Sequence, residues 1–200
     1  MNTVITIGRE FGSGGRELGR LLAQELGFEF YDKEIISEIA KKTSLSVNYV
    51  KEIVEKTPHQ LFPVTTGNAF AYYANPSIMN KQSIFTEQTN VVREMAEKSS
   101  CVIVGRCADY ILKDYAPFKI FVYADEESKL RRCLQRENPE ITDAKKLRKQ
   151  IKKIDKNRAS YYSFYTGNKW GYKLNYDLCV NTSDMDLSVI AKTIAKLFDK

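Results

Sequence analysis

The sequence predicts an α/β protein: a parallel, five-stranded sheet covered by helices on both faces. Three observations lead there. Short β-branched or apolar runs alternate with stretches of helical periodicity. The run at residues 101–104, Cys-Val-Ile-Val, is apolar at every position, as a strand buried on both faces is. The last stretch carries Leu187, Ile190, Ala191, Ile194, Leu197 and Phe198 on one helical stripe.

The elements follow in order. Val4 to Ile7 reads as a strand ending at Gly8, and beyond a glycine-rich stretch Leu18, Leu21, Leu22 and Leu26 recur at helical spacing. Gly27 suits the residue just past that helix, Phe28 to Tyr31 a brief second strand, and Asp32 the cap of a helix bearing Ile35, Ile36, Ile39 and Ala40. A short helix is expected after Ser46. Residues 57–82, with Pro58, Pro63, Gly67 and Pro76, read as a long loop. A helix over Ile84 to Lys98 leads into the strand at Cys101 to Val104, which ends at Gly105-Arg106. Phe118 to Ala124 is the fourth strand, Asp125 opens a helix to about Arg136, Asp143 to Tyr165 forms a long basic helix, and Tyr176 to Asn181 is the fifth strand.

Composition narrows the function. With 200 residues and 43% hydrophobic composition the chain can bury a core of its own, and one domain over 1–200 is expected. No apolar run approaches the roughly 18 residues that span a bilayer, and Met1 to Gly8 lacks the features of a secretory leader, so a cytoplasmic protein with no membrane partner is expected. Four scattered cysteines without a CxxC pair read as reduced, and the one histidine, His59, gives zinc little to bind; no metal-ligand set is expected. Residues 129–158 hold twelve Lys and Arg against four Asp and Glu, so the positive excess is confined to one segment. Such a segment suits an anionic partner or a solvated helix face.

Gly8-Arg9-Glu10-Phe11-Gly12-Ser13-Gly14-Gly15-Arg16-Glu17 lies between the first strand and the first helix. Glycines there let backbone N–H groups approach a phosphate, and the helix N-terminus adds positive charge. The standard loop is GxxxxGK[ST], whose lysine reaches the β- and γ-phosphates. Here Gly15 stands where that lysine would be and Glu17 falls near the hydroxyl position, leaving Arg16 as the replacement cation.

The chain resembles the cytidylate-kinase-like family, relatives of the nucleoside monophosphate kinases. The likeness rests on TIGREFGSGGRELG (6–19), FYDKEII (30–36), VIVGRCADYIL (102–112), DKNRASYY (155–162) and YDLCVNTSDMDLSVI (176–190). It implies a three-layer P-loop kinase fold, with an acceptor-side segment at about 32–98 and a basic helical lid at about 126–166. It further implies that Gly12, Ser13, Gly14, Gly15, Arg16 and Glu17 face the donor ATP. Asp32 would lie in the acceptor pocket, and Arg106, with Asp109 nearby, would meet the acceptor phosphate. Asp155, Asn157, Arg158 and Ala159 match a D-x-N-R-A segment that supplies an aspartate to the acceptor sugar or base and an arginine to the phosphates. Ile151 stands where the family carries a further arginine.

The activity so implied is ATP-dependent phosphoryl transfer to a nucleoside monophosphate, with CMP or dCMP as first acceptor and Mg2+ held mainly by the nucleotide. Arginines neutralise charge in such a reaction, and Arg132 and Arg136, at i and i+4 on one helical face, are placed to close with Arg16 and Arg158 over the transferring group. Arg106 also follows a buried strand, where crevices of open α/β sheets lie. Tyr161, Tyr162, Tyr165 and Trp170 either stack on a base or pack the lid helix, and their spacing favours packing. Two other classes remain: a nucleotide-binding sensor without catalysis, motivated by the absent lysine, and a nucleic-acid binder using the basic segment, weakened by the lack of any such motif. A kinase of another small acceptor belongs to the first class.

Overall fold

The computed structural model describes residues 2–55, 76–136 and 143–198. Among the described residues five strands form one sheet: β1 (Val4–Arg9), β2 (Glu29–Tyr31), β3 (Cys101–Val104), β4 (Phe118–Tyr123) and β5 (Leu178–Asn181). Their order is β2-β3-β1-β4-β5, and every neighbouring pair is parallel. The helices are α1 (Gly15–Leu26), α2 (Glu34–Thr43), α3 (Val47–Glu55), α4 (Pro76–Lys98), α5 (Ala108–Ile111), α6 (Glu126–Arg136), α7 (Ala144–Thr166) and α8 (Leu187–Ala195).

The period-2 alternation of the strands divides the core in two. Ile5, Ile7, Val102, Val104, Ile120 and Val122 face α1 and α8, where Leu18, Leu22, Ile190 and Ile194 meet them. Val4, Cys101 and Ile103 face the other way, onto α2 to α5 and onto Tyr161 and Tyr162 of α7. A third, smaller core joins Leu130 and Cys133 of α6 to Leu147 and Ile151 of α7, with Phe11 of the glycine loop packed against it. The basic helical pair α6–α7 therefore has an apolar seam of its own, and the loop after β1 reaches into it.

Helix ends follow local chemistry. Gly27 takes a left-handed φ of 65° after α1, and the N–H of Phe28 returns to the carbonyl of Ala23. The Asp143 carboxylate caps α7 by accepting from the N–H groups of Lys145 and Lys146, and Asp186 caps α8 in the same way. Cys101, Cys107 and Cys133 are buried thiols and Cys179 is exposed, and none of the four is in a disulfide.

Three expectations need correction. Asp32 does not cap α2: Lys33 holds the cap position without a side-chain bond, because the Asp32 carboxylate is drawn to two guanidiniums instead. The loop expected over 57–82 is shorter, since α4 begins at Pro76; proline tolerates a first helical position, where its missing N–H has no intrahelical partner. Residues 56–75, with His59, lie outside the described residues. Finally, α5 was not anticipated, because four residues are too few to display a period.

Gly19 of α1 faces β1 and β3 so closely that a Cβ there would lie 2.9 Å from Val104 Cγ2 and 3.0 Å from Ile7 Cδ1. Gly19→Val is expected to cost about 1–3 kcal/mol through overpacking. Urea denaturation should show a lower midpoint at unchanged slope.

Candidate active site

All five strands deliver their C-terminal ends to one edge, and the loops there carry the polar groups. After β1 the chain turns through Gly12 (φ +77°) and Gly14 (φ +81°), the latter the left-handed residue from which α1 starts. Ser13 between them is wholly buried. Its hydroxyl donates to the Glu10 carbonyl at 2.8 Å, and its own carbonyl accepts from the Thr182 hydroxyl at 2.6 Å and from Arg132 at 3.4 Å. Arg132 also donates to the Thr182 carbonyl, so α6, the end of β5 and the loop are fastened together. The first N–H groups of α1, at Gly15, Arg16 and Glu17, have no acceptor within the helix and carry its partial positive charge. Left-handed glycines before an open helix N-terminus fit a polyphosphate.

A cluster of charges holds this loop against α7. The N–H of Phe11 donates to Asp155 Oδ1 at 2.6 Å, while Asp155 Oδ2 accepts from Lys129 Nζ at 2.9 Å. Lys129, with 12% of its side chain exposed, bonds Glu10 Oε2 as well, at 3.0 Å. Burial opposes its charged form, but the Asp155 and Glu10 carboxylates outweigh burial and hold the ammonium above the usual lysine range. Arg158 donates to the Arg9 carbonyl at 3.2 Å and lies 5.6 Å from the Phe11 ring centroid. Breaking a buried pair of this kind costs more than forming it contributes, so the cluster fixes position more than it adds stability.

Beside the loop, at the ends of β1 and β3, opens a cavity of about 490 Å³. Gly8, Arg9 and Phe11 of the loop line it, with Gly105, Arg106 and Asp109 after β3, Lys51 and Glu52 of α3, and Asn157, Arg158, Tyr161 and Tyr162 of α7. Trp170 and Tyr176 complete an aromatic side. Gly105, Arg106 and Cys107 form three consecutive left-handed residues, two of them bearing side chains, a strain of about 1–3 kcal/mol each. Gln88 of α4 steadies the turn by donating to the Arg106 carbonyl at 2.9 Å. The Tyr162 hydroxyl donates to Asp109 Oδ2 at 2.6 Å. Burial raises the Asp109 carboxyl above the ordinary range, an effect that this hydrogen bond opposes. Burial, and then the Asp109 charge, push Tyr162 upward.

The structure thus gathers Arg106, Asp109 and Arg158 around one cavity next to the segment Gly12 to Glu17. Asp32 and Asp155 lie outside the cavity lining: Asp32 pairs with Arg9 and Arg16, Asp155 with Lys129 and the Phe11 N–H. Arg16 is 52% exposed and bonds Asp32 at 2.5 Å, and Glu17 pairs with Arg20. The side chain of Arg136 lies outside the described residues. Tyr161 and Tyr162 are buried against the sheet and also border the cavity, and Tyr165 stacks on Phe85 at 4.0 Å. Among the described residues no three His, Cys, Asp or Glu side chains gather as a metal site. Arg9, Lys129 and Thr182 were not singled out from the sequence. Arg9 had a signal: counting the spacing of the standard loop back from Gly14 puts it where the first glycine stands. Lys129 and Thr182 had none.

The model of the cytidylate kinase-like family matches residues 4–184. The chain belongs to the cytidylate kinase-like family. This cytidylate kinase-like chain is 25% identical to a cytidylate kinase of Archaeoglobus fulgidus over 194 residues, which is 96% of the chain and 92% of that relative. It is similar to an uncharacterized protein from Eubacterium ventriosum known from a crystal structure, with 31% identity, a TM-score of 0.73 and coverage of 100% and 99% of the two chains. Shikimate kinase from Acinetobacter baumannii, in complex with shikimate, shares the fold at a TM-score of 0.55 and 18% identity, covering 99% of the chain and 93% of that structure. The architecture is that of the P-loop kinases, and this family member is a phosphotransferase of the nucleotide-kinase type. None of its described helices is long and apolar enough to cross a membrane.

The raised pKa of Asp109 predicts a stability effect with a definite sign. A carboxyl whose folded pKa exceeds its unfolded value contributes stability below the unfolded pKa and loses it as pH rises through the folded one. Asp109→Asn, which still accepts from Tyr162 and does not titrate, should therefore melt above the wild type at neutral pH. The gap should shrink toward about pH 4, near the ordinary carboxyl pKa, as followed by circular dichroism. A gap that widens on acidification would contradict this account.

Proposed function

We propose that this kinase transfers the terminal phosphoryl group of ATP to a nucleoside monophosphate, with CMP and dCMP the first acceptors. One observation carries the reading: a cavity of nucleotide size, bordered by Arg9, Lys51, Arg106 and Arg158, shares its wall with the glycine loop. A donor polyphosphate on that loop and an acceptor phosphate in that cavity would meet at the same edge of the sheet. The Archaeoglobus relative, named cytidylate kinase, supports a pyrimidine acceptor.

ATP supplies the phosphoryl group, with Mg2+ held mainly by its own oxygens and water. On the donor side, Gly12, Ser13, Gly14 and Gly15 shape the loop, and the N–H groups of Gly15, Arg16 and Glu17 carry the phosphates. Arg16, fixed by Asp32, adds positive charge at that turn. Arg132, already bonded to the Ser13 carbonyl, holds the lid helix over the loop, and Arg136 is assigned to the same closure. On the acceptor side, Arg106 and Arg158 take the phosphate and position it in line with the donor. Asp109, with Tyr162, faces the sugar or base, and the aromatic side excludes water. Asp155 acts by tying α7 to the loop, and Asp32 by orienting Arg9 and Arg16.

The test is a coupled ADP-release assay with Mg-ATP against CMP, dCMP, UMP, AMP, GMP and several non-nucleotide acceptors. Release that depends on one monophosphate is expected; release only with a non-nucleotide acceptor would replace the acceptor class, and ATP binding with no release would favour a sensor. With the productive acceptor, Arg158→Ala should lower kcat/KM by about ten- to a hundredfold, the worth of a charged hydrogen bond. Unchanged kinetics would remove Arg158 from the site, as they would remove Arg16 for Arg16→Ala.

A further inference from the structure

We infer that Arg9 stands in for the lysine of a standard phosphate loop, and that its guanidinium is set against the phosphoryl group in transfer. The inference rests on the kinase reading and names a residue that the reading left unexplained.

Two glycines reveal it. At Gly15, where the lysine would be, an added Cβ would lie 2.6 Å from Arg9 Cβ, 3.2 Å from Arg9 Cγ and 3.1 Å from Val122 Cβ. The stem of Arg9 fills the volume through which a side chain at position 15 would leave the backbone. The missing lysine is therefore not a gap but a displaced side chain. At Gly105, after β3, where a φ of +76° already favours glycine, an added Cβ would fall 1.7 Å from Arg9 Nη1, so the guanidinium crosses directly over this residue. One arginine lies against both glycines, which are far apart in sequence.

Its path ends where chemistry needs a cation. Arg9 leaves from the end of β1, not from the first turn of α1, and so enters the site from the acceptor side. It borders the cavity together with Arg106 and Arg158, with 16% of its side chain exposed. Asp32, itself buried, approaches Arg9 Nη2 at 3.5 Å and also holds Arg16, which orients the Arg9 fork. Arg158 fixes the backbone of Arg9 through its carbonyl. A guanidinium can bind two phosphoryl oxygens in parallel, which suits a group shared between donor and acceptor. In the step itself an acceptor phosphate oxygen bonds to the γ-phosphorus, and the bond to the β,γ-bridging oxygen breaks with its electron pair passing to ADP. Arg9 exchanges no proton; it neutralises charge on the equatorial oxygens.

The variants are Arg9→Met, Arg9→Lys, Arg9→Gly and Arg9→Gly/Gly15→Lys, measured by ADP release and by calorimetric titration with the non-hydrolysable β,γ-imido analogue of ATP. Arg9→Met should lose about a hundredfold or more in kcat and bind the analogue about tenfold more weakly. Arg9→Lys, which keeps stem and charge but not the fork, should fall between Arg9→Met and wild type. Arg9→Gly/Gly15→Lys, which moves the cation to its usual place, should exceed Arg9→Gly at least tenfold in kcat. Wild-type kcat in Arg9→Met or Arg9→Lys, or a double variant no better than Arg9→Gly, overturns the inference. If the wild type releases no ADP with any acceptor, the kinase reading fails separately, and unchanged analogue affinity in Arg9→Met then decides against Arg9.

Discussion

The carboxylate of Asp155 is the constraint on which the arrangement depends. It joins α7 to the glycine loop through the Phe11 N–H and to α6 through Lys129, so three segments distant in sequence share one acceptor group. A backbone N–H bonded to a carboxylate makes a short, charge-assisted bond, and the loop between β1 and α1 is thereby held from outside as well as by its own glycines. Without that tie, the links described between the basic helices and the loop would be the Lys129–Glu10 pair, the Arg132 and Arg158 contacts and the apolar seam around Phe11.

That seam gives a physical reason for an isoleucine at position 151, where the resemblance to cytidylate kinases implies an arginine. Ile151 is buried with Leu130, Cys133 and Leu147 beneath Phe11. A guanidinium there would be desolvated without a partner, at a cost far above that of an isoleucine. The position has been given to packing, and positive charge reaches the cavity by other routes: Arg9 from β1, Arg106 from the strained turn after β3, Arg158 from α7 and Lys51 from α3. Two of the remaining basic side chains of α7 are engaged at the surface, where Arg148 pairs with Glu126 and Glu127 of α6 and Lys152 with Glu126. Such exposed pairs contribute little to stability.

Much of the fold was legible because its signals are local. The apolar run at 101–104, the stripe of the last helix, the glycine after Leu26 and the aspartate before Ala144 each specify one element through the chemistry of a few neighbouring residues. Arg106 and Arg158 could be named because they sit in recognisable segments. What escaped was set by crossings between distant segments. The hydroxyl of Thr182 reaches the Ser13 carbonyl across 169 residues, and nothing in the neighbourhood of either residue announces the other. Asp32 was assigned to a helix cap by local rules and was claimed by two arginines that only the folded sheet brings near. Lys129 read as one more basic residue on a charged helix, because burial beside two carboxylates has no sequence signature.

Two consecutive strained residues, a buried carboxyl and several cations meet at one edge of the sheet. The faces under α1 and α8 are packed mainly with aliphatic side chains, and the opposite edge holds left-handed backbone at Gly27 before β2 and Ala116 before β4. At the C-terminal edge, Arg106 and Cys107 hold left-handed conformations, Asp109 is buried with a raised pKa, and several cations crowd one cavity. A fold selected for stability alone would relax each of these features, since an uncharged, unstrained turn is always accessible to it. Their coincidence around one cavity, next to a loop that presents helix N–H groups, fits the anionic ligand proposed above. Arg9 is paired with Asp32 and Arg158 lies 3.9 Å from Asp155, so the cations at this edge are held in place by carboxylates before any ligand arrives, which lowers the ordering cost of binding.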